Sequence, residues 1–307
     1  MTDFRMTGGQ DDRRAELLTA TRSASSSALV SEVVMRMAAV IGDRVAAGEL
    51  LALMHDQVRH WVRTSGDEEL SFADVDEAMR AAERLAGGAP IQYAARRAAF
   101  RHLALFVDER VLIPRPETEL LVDAVLEATK GVAGGTVVDV GTGSGAIALA
   151  LASEGHFDNV IATDISHDAL RVARMNAERL APTLRAAVDF RQGSGLLPVP
   201  ERGLRAIVSN PPYIAFEEAA ALPALVRDWE PSVALFAGDQ GMSITKALVH
   251  DAAAHLAPGG VLALEVDVRR AGLVAELAAS HGRYEAVKVL LDLTGRERFV
   301  VARRTEN

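Results

Sequence analysis

Cysteine is absent from the 307-residue sequence, so the chain can form no disulfide bond and offers no thiolate to a metal ion or a substrate. Long apolar runs are absent too. No stretch approaches the ~20 apolar residues of a transmembrane helix, and the N-terminus lacks the apolar core of a signal peptide. These absences favour a soluble protein of a reducing compartment, and we expect a cytoplasmic location.

Positive charge is in deficit, with 33 Lys and Arg residues against 42 Asp and Glu residues and a formal net charge of −9. This balance argues against binding along an extended phosphate backbone. Two histidine pairs, His55 with His60 and His250 with His255, are spaced by five residues, which does not bring both rings to one helix face. We therefore expect no metal site and no direct nucleic-acid substrate.

The chain is long and apolar enough for two domains, and its patterns divide it into four parts. Residues 1–27 show no steady period and are predicted to be a disordered tail. Residues 28–89 carry apolar side chains at spacings of three and four, which predicts a helical domain. In residues 90–113, two short apolar runs flank Asp108 and Glu109, which predicts a hairpin-like connector, and residues 114–307 form the remaining domain.

Strand and helix patterns alternate in the last part, which predicts an α/β fold with a doubly wound, seven-stranded sheet. The predicted strands are Thr136–Val140, Val160–Thr163, Ala187–Phe190, Arg205–Ser209, Val261–Val266, Tyr284–Leu290 and Phe299–Ala302. The last two are expected to pair antiparallel. The predicted helices are Ala146–Ser153, Asp168–Leu180, Met242–Leu256 and Ala271–Ser280. In such folds, ligands bind at the carboxyl ends of the strands.

A glycine-rich turn follows the first predicted strand. Its glycines allow a tight turn and a close approach of a ligand to the backbone, and the next helix offers unpaired N–H groups. The spacing is G-x-G-x-G rather than the G-x-G-x-x-G of dinucleotide folds, and it suits the amino-acid end of S-adenosylmethionine. The cofactor-binding candidates in this turn are Gly141, Thr142, Gly143, Ser144 and Gly145. The preceding Asp139 either orients the turn or has a structural role.

Asp164 ends the second predicted strand, about 20 residues beyond the glycine turn, where a carboxylate can accept from both hydroxyls of a ribose. It is therefore a further cofactor-binding candidate. The structural alternative is that Asp164 caps the following helix, a position that Ser166 could also fill.

Asn210-Pro211-Pro212-Tyr213 follows the fourth predicted strand. Two prolines stiffen the turn, so the Asn210 side-chain carbonyl and the Pro211 carbonyl become fixed acceptors for the two hydrogens of a planar –NH2 group. The ring of Tyr213 offers a stacking face. We predict that Asn210, Pro211 and Tyr213 are catalytic, that all four residues bind substrate, and that Asn210 also lies at the cofactor. The alternative is a strand end followed by a rigid proline loop.

Together these motifs resemble the HemK/PrmC family, which methylates the glutamine of the Gly-Gly-Gln motif in peptide chain release factors. The resemblance spans roughly residues 90–303, and its most specific element is Ile113–Glu119. Other similar stretches are Pro90–Tyr93, Val208–Ile214, Val226–Pro231 and Gly295–Arg298. The resemblance implies a Rossmann-like, S-adenosylmethionine-dependent protein-(glutamine-N5) methyltransferase whose helical N-terminal domain docks the release factor. We expect a monomer.

The sequence departs from the family pattern at three places. Gln192–Gly195 replaces an acidic residue followed by a large apolar one, which leaves the adenine contacts around Ser194 and Gly195 open. Arg205 stands where an acidic residue is common, and Tyr93–Arg96 replaces a glycine-containing turn. Two other functions remain: a DNA or RNA adenine-N6 methyltransferase, because an adenine amine presents the same planar nitrogen, and a non-catalytic nucleotide-binding protein.

Overall fold

A computed structural model describes residues 27–306, whose contacts divide into two units with the boundary between Ala86 and Gly87. The predicted disordered tail, residues 1–27, lies outside the described residues except for Ser27. None of the helices between residues 27 and 306 has both the length and the apolar character that a membrane crossing requires.

The first unit is helical. Its short strands β1 (Ala28–Leu29) and β2 (Glu69–Leu70) pair antiparallel. Gly42, with φ of 83°, ends the first helix, and the Asp43 carboxylate then accepts from the N–H groups of Val45 and Ala46 to begin the second. Its elements are β1 (Ala28–Leu29), α1 (Val30–Ile41), α2 (Arg44–Met54), α3 (Trp61–Thr64), β2 (Glu69–Leu70) and α4 (Phe72–Ala86).

The second unit begins with α5 (Ile91–Ala95) and a short hairpin of β3 (Ala98–Phe100) and β4 (Leu103–Leu105). The hairpin turn lies at Arg101 and His102 and not between the apolar runs that flank Asp108 and Glu109. Asp108 and Glu109 belong to a separate turn, in which the Val111 N–H donates to the Asp108 carbonyl at 3.1 Å. Arg101 adopts φ of 55°. Its guanidinium binds both carboxylate oxygens of Glu154 at 2.6 Å, and its N–H donates to the Glu119 carboxylate at 2.9 Å. These distant partners stabilise a turn that local residue preferences do not indicate.

Seven strands form the sheet of the second unit: β5 (Thr136–Val140), β6 (Asn159–Asp164), β7 (Ala187–Gln192), β8 (Leu204–Ser209), β9 (Leu256–Glu265), β10 (Tyr284–Leu291) and β11 (Glu297–Arg304). Their order across the sheet is β10-β11-β9-β8-β5-β6-β7. Strands β5 to β9 run parallel, and β10 and β11 complete one edge antiparallel. The predicted α/β fold and its strand count are confirmed.

Helices cover both faces of this sheet. Alternate strand residues point to opposite faces. Val137 packs with the cluster that includes α6 (Pro116–Ala128) and α7 (Ala146–Glu154), and Val138 packs with the cluster of α11 (Ser243–His255) and α12 (Ala271–Ser280). Residues Ala146–Ser153 of α7 are all buried, which explains why this helix is apolar on every side. Further helices of this unit are α8 (His167–Leu180), α9 (Ala224–Trp229) and α10 (Ser232–Leu235).

Candidate active site

The register of the parallel strands brings the predicted site residues to one edge of the sheet. Val140 of β5 is aligned with Thr163 of β6 on one side and with Ser209 of β8 on the other. Ser209 is in turn aligned with Leu264 of β9. The residues that end or directly follow these four strands therefore lie side by side: Gly141, Asp164, Asn210 and Glu265.

The three glycines of the turn have left-handed backbone conformations but different surroundings. Gly141 and Gly143 have φ of 76° and 54°, and a Cβ atom on either would meet no atom within 4 Å. A Cβ on Gly145, with φ of 87°, would lie 3.0 Å from Leu149 Cδ1 and 3.3 Å from Ala173 Cβ. The first two positions leave open space above the backbone, whereas the third allows helix packing.

Buried polar contacts hold the glycine turn against helix α7. The fully buried Asp139 carboxylate accepts from Thr142 Oγ1 at 2.7 Å and from the Ala148 N–H at 3.1 Å. Burial raises the pKa of Asp139 to about 7. Ser144 is also buried, and its carbonyl accepts from Asn176 Nδ2 at 2.9 Å. The buried side chains of Thr142 and Ser144 leave mainly backbone groups for a ligand.

Asp164 contacts the glycine turn directly. Its Oδ2 accepts from the Gly143 N–H at 2.9 Å, and its Oδ1 accepts from the Ser166 N–H at 2.8 Å. The cap of α8 is Ser166, whose Oγ accepts from the Ala169 N–H at 3.1 Å, so Asp164 does not fill that role. Burial raises the pKa of Asp164.

Gln192–Gly195, where the sequence departs from the family pattern, lies beside Asp164. The Gly193 N–H donates to the Asp164 carbonyl at 3.0 Å, and Thr163 Oγ1 donates to the Gly195 carbonyl at 3.2 Å. Gly195 has φ of 55°, and a Cβ there would meet no atom within 4 Å. The backbone of this segment therefore borders the same edge of the sheet as the glycine turn.

A chain of two hydrogen bonds connects Asn210 to buried groups. Asn210 Nδ2 donates to Thr118 Oγ1 at 3.1 Å, and Thr118 Oγ1 donates to Glu265 Oε2 at 2.6 Å. Both partners are almost inaccessible, with exposed fractions of 4% and 2%. Burial raises the pKa of Glu265 to about 7, against the effect of the Thr118 hydrogen bond. Sequence reasoning assigned no role to either residue, although Thr118 lies within the stretch that resembles the family most specifically.

The turn after Asn210 is fixed by the chain near residues 235–241. The Ile214 N–H donates to the Leu235 carbonyl at 3.0 Å, and the Ala237 N–H donates to the Ile214 carbonyl at 2.9 Å. At Gly241, with φ of 83°, a Cβ would lie 2.2 Å from the Tyr213 carbonyl oxygen, so only glycine fits. Burial raises the pKa of Tyr213 to about 12, so its phenol stays protonated near neutral pH.

Two of the stretches that resemble the family contact each other. Arg115 Nη2 lies 2.5 Å from Oε1 of Glu230, whose side chain is 2% exposed. This pair connects the start of α6 to the end of α9, which follows the Asn210 turn in the chain. Among residues 27–306, no three His, Asp or Glu side chains are grouped as metal ligands.

Comparisons with known proteins show which family this chain resembles in sequence. A family model described as the methyltransferase small domain matches residues 115–227. Similar proteins named release factor glutamine methyltransferase include one from Moorella thermoacetica, 41% identical over 279 residues, 90% of this chain and 98% of the relative. Another, from Gloeobacter violaceus, is 41% identical over 240 residues, 78% of this chain and 83% of the relative.

Solved structures share the fold at low sequence identity. A methyltransferase from Pyrococcus furiosus has a TM-score of 0.50 at 20% identity, covering 67% of this chain and 91% of that protein. The catalytic domain of hMettl16, in complex with MAT2A 3′UTR hairpin 1, has a TM-score of 0.54 at 18% identity, covering 76% of this chain and 81% of that protein. The structures support a Rossmann-like methyltransferase fold, and on the sequence relatives the chain belongs to the family of release factor glutamine methyltransferases.

Proposed function

We propose that this protein transfers a methyl group from S-adenosylmethionine to the side-chain amide nitrogen of the glutamine in the Gly-Gly-Gln motif of release factors. The observation that carries this proposal is the position of Asn210, which directly follows a strand adjacent to the one that leads into the open glycine turn. A methyl donor on the turn and an amide held at Asn210 would meet at one edge of the sheet. The names of the sequence relatives support the same substrate.

The residues at this edge fit the methyl donor. The open backbone at Gly141 and Gly143 would admit its amino-acid end, because a Cβ atom at either position meets no atom within 4 Å. The Asp164 carboxylate would accept from the ribose hydroxyls, because each of its oxygens can accept more than the single N–H bond described above. When bound, the donor supplies a methyl group on a positively charged sulfur.

The protein's contribution to the chemistry is mainly orientation. The Asn210 side-chain carbonyl and the Pro211 carbonyl would accept the two hydrogens of the substrate amide, while its plane stacks on Tyr213. The amide nitrogen held there would form the new N–C bond with its lone pair as the methyl–sulfur bond breaks, with the electrons of that bond left on the donor, and one amide proton would leave to water. Such orientation contributes on the order of 7–11 kcal/mol. Acceptors that stabilise the charge developing on nitrogen add to it.

The helical unit, residues 27–86, would bind the body of the release factor. Holding that body converts the encounter of the Gly-Gly-Gln loop with Asn210 into an intramolecular event at high effective concentration. The loop would then need little affinity of its own.

The test offers equal amounts of a release factor, the same factor with Gly-Gly-Ala in its motif, and single- and double-stranded DNA and RNA, all with labelled donor. We expect label on the glutamine alone, located by mass spectrometry of the peptide. The Asn210→Ala variant should lose turnover by far more than it loses donor affinity, because the side chain acts on the substrate nitrogen. Label on nucleic acid and not on the glutamine would establish the adenine methyltransferase instead. Near-normal turnover of Asn210→Ala would show that the turn has only a structural role.

A further inference from the structure

The side-chain amide of Asn210 can face its surroundings in two ways, related by rotation through 180°. One presents the carbonyl oxygen to a substrate, and the other presents the NH2 group, which cannot accept a hydrogen from the substrate amide. The structure has Nδ2 of Asn210 on Thr118 Oγ1, which leaves Oδ1 for the substrate. Something must hold this orientation, because both have the same shape.

The hydroxyl of Thr118 has a single hydrogen, and the direction of this hydrogen determines which group of the Asn210 amide can bind Thr118. An ionised Glu265 carboxylate can only accept, so Thr118 must donate to it across the 2.6 Å contact. Thr118 Oγ1 then has only lone pairs to offer Asn210 and selects its NH2 group. If Glu265 were protonated, it could donate to Thr118, and the freed hydroxyl hydrogen could bind Oδ1 of a rotated Asn210.

We infer that Thr118 and Glu265 are positioning residues that keep the carbonyl oxygen of Asn210 directed at the substrate amide. This inference rests on the proposed function and deepens it, since Asn210 remains the residue that contacts the substrate. Both groups are buried beside Asn210, so water does not compete for these hydrogen bonds. The chain of contacts also gives the Ile113–Glu119 stretch a physical connection to the site.

The protonation of Glu265 should then control turnover. Burial raises its pKa to about 7, and Glu117 acts in the same direction, while the Thr118 hydrogen bond, Arg298 and Arg115 favour the ionised form. Ionised Glu265 supports the productive orientation, so turnover should rise as the pH increases through about 7 and then level off. This pH dependence of turnover should disappear when the hydrogen bonds between Asn210, Thr118 and Glu265 are removed.

The test compares variants of the full chain with release factor and S-adenosylmethionine. Thr118→Val removes the hydroxyl at constant shape, and Glu265→Gln removes the acceptor-only character. We expect each to lower kcat about 3- to 10-fold, as the loss of one net hydrogen bond predicts. Donor affinity should stay unchanged, and the rise of kcat near pH 7 should be lost. Thr118→Ser keeps the hydroxyl, so it should retain most of kcat and most of its rise near pH 7. Thr129→Val is the matched control, because it removes another buried hydroxyl at the opposite end of α6, where Oγ1 donates to the Val125 carbonyl at 2.8 Å.

A second measurement needs no turnover. The side-chain NH2 signal of Asn210 in a ¹⁵N spectrum, assigned by its absence in Asn210→Ala, should titrate near pH 7 in the unmodified protein and stay constant in Thr118→Val. A signal that titrates equally in both, or a Thr118→Val variant with normal kcat and pH profile, would overturn the inference. If the unmodified protein bound the donor without methylating the release factor, the proposed function would fail, and the titration would still decide whether the hydrogen bonds orient Asn210.

Discussion

Two alanine substitutions in the glycine turn should separate donor binding from helix packing. Gly143→Ala and Gly145→Ala both place a side chain at positive φ, 54° and 87°, which costs each variant roughly 1–2 kcal/mol. Beyond this shared cost the two sites differ. The Cβ at position 143 meets no atom within 4 Å, whereas at position 145 it lies 3.0 Å from Leu149 Cδ1.

The crowding at position 145 sets the difference in stability. Leu149 is fully buried and cannot move without disturbing the core, and such overpacking costs about 1–3 kcal/mol more. We therefore expect Gly145→Ala to lose about 2–5 kcal/mol and Gly143→Ala about 1–2 kcal/mol. For a domain of this size, each kcal/mol corresponds to a fall in Tm of about 2–4 °C.

The losses of donor affinity should have the opposite order, with the larger loss in Gly143→Ala. The new methyl group of Gly143→Ala would project into the space that we propose for the donor, so its affinity for S-adenosylmethionine should fall at least about tenfold. Gly145→Ala, measured below its unfolding transition, should bind the donor within a few-fold of normal. Thermal unfolding and titration calorimetry on the same two samples test both statements. Unchanged donor affinity in Gly143→Ala would refute the assignment of the open turn to the donor.

Two further predictions concern the donor site and the helical unit. Asp164→Ala should weaken donor binding about tenfold or more in calorimetry, as loss of a charge-assisted hydrogen bond of ~1.5–3 kcal/mol predicts. Its control is Asp158→Ala, which removes a carboxylate at the other end of the sheet that accepts from the Gly135 N–H at 2.7 Å. Equal donor affinity in the two variants would contradict the ribose role of Asp164. Removal of residues 1–86 should preserve donor binding and sharply reduce methylation of the intact release factor relative to a short Gly-Gly-Gln peptide, and an equal effect on both substrates would contradict the docking role.

The sheet could be predicted from sequence because its signals are local. Each parallel strand is a short apolar run that a turn or a helix follows, and the order of these patterns along the chain specifies a doubly wound fold. The hairpin turn could not be located this way. Arg101 has no local preference for positive φ, and its conformation depends on Glu154, which lies 53 residues away in the chain.

The candidate site could likewise be predicted only where its signals are local. Glycines at strand ends and the Asn210 turn follow directly from local sequence, but the partners of Asn210 do not. Thr118 and Glu265 are separated by 147 residues and meet only because the start of α6 packs at the end of β9. The capping role of Asp164 could likewise be excluded only from the structure, in which Ser166 makes the capping hydrogen bond.

The contacts of the Ile113–Glu119 stretch bear on the substrate preference that we propose. A glycine turn and an Asn-Pro-Pro-Tyr turn would serve an adenine amine as well as a glutamine amide, since both nitrogens are planar and carry two hydrogens. Within this stretch, Thr118 binds Asn210, and Arg115 binds Glu230 in the segment that follows the Asn210 turn. Neither side chain forms a described hydrogen bond to the glycine turn. On the function that we propose, this stretch therefore acts through Thr118 on the residue that would hold the substrate amide, and a preference for glutamine over adenine would arise there.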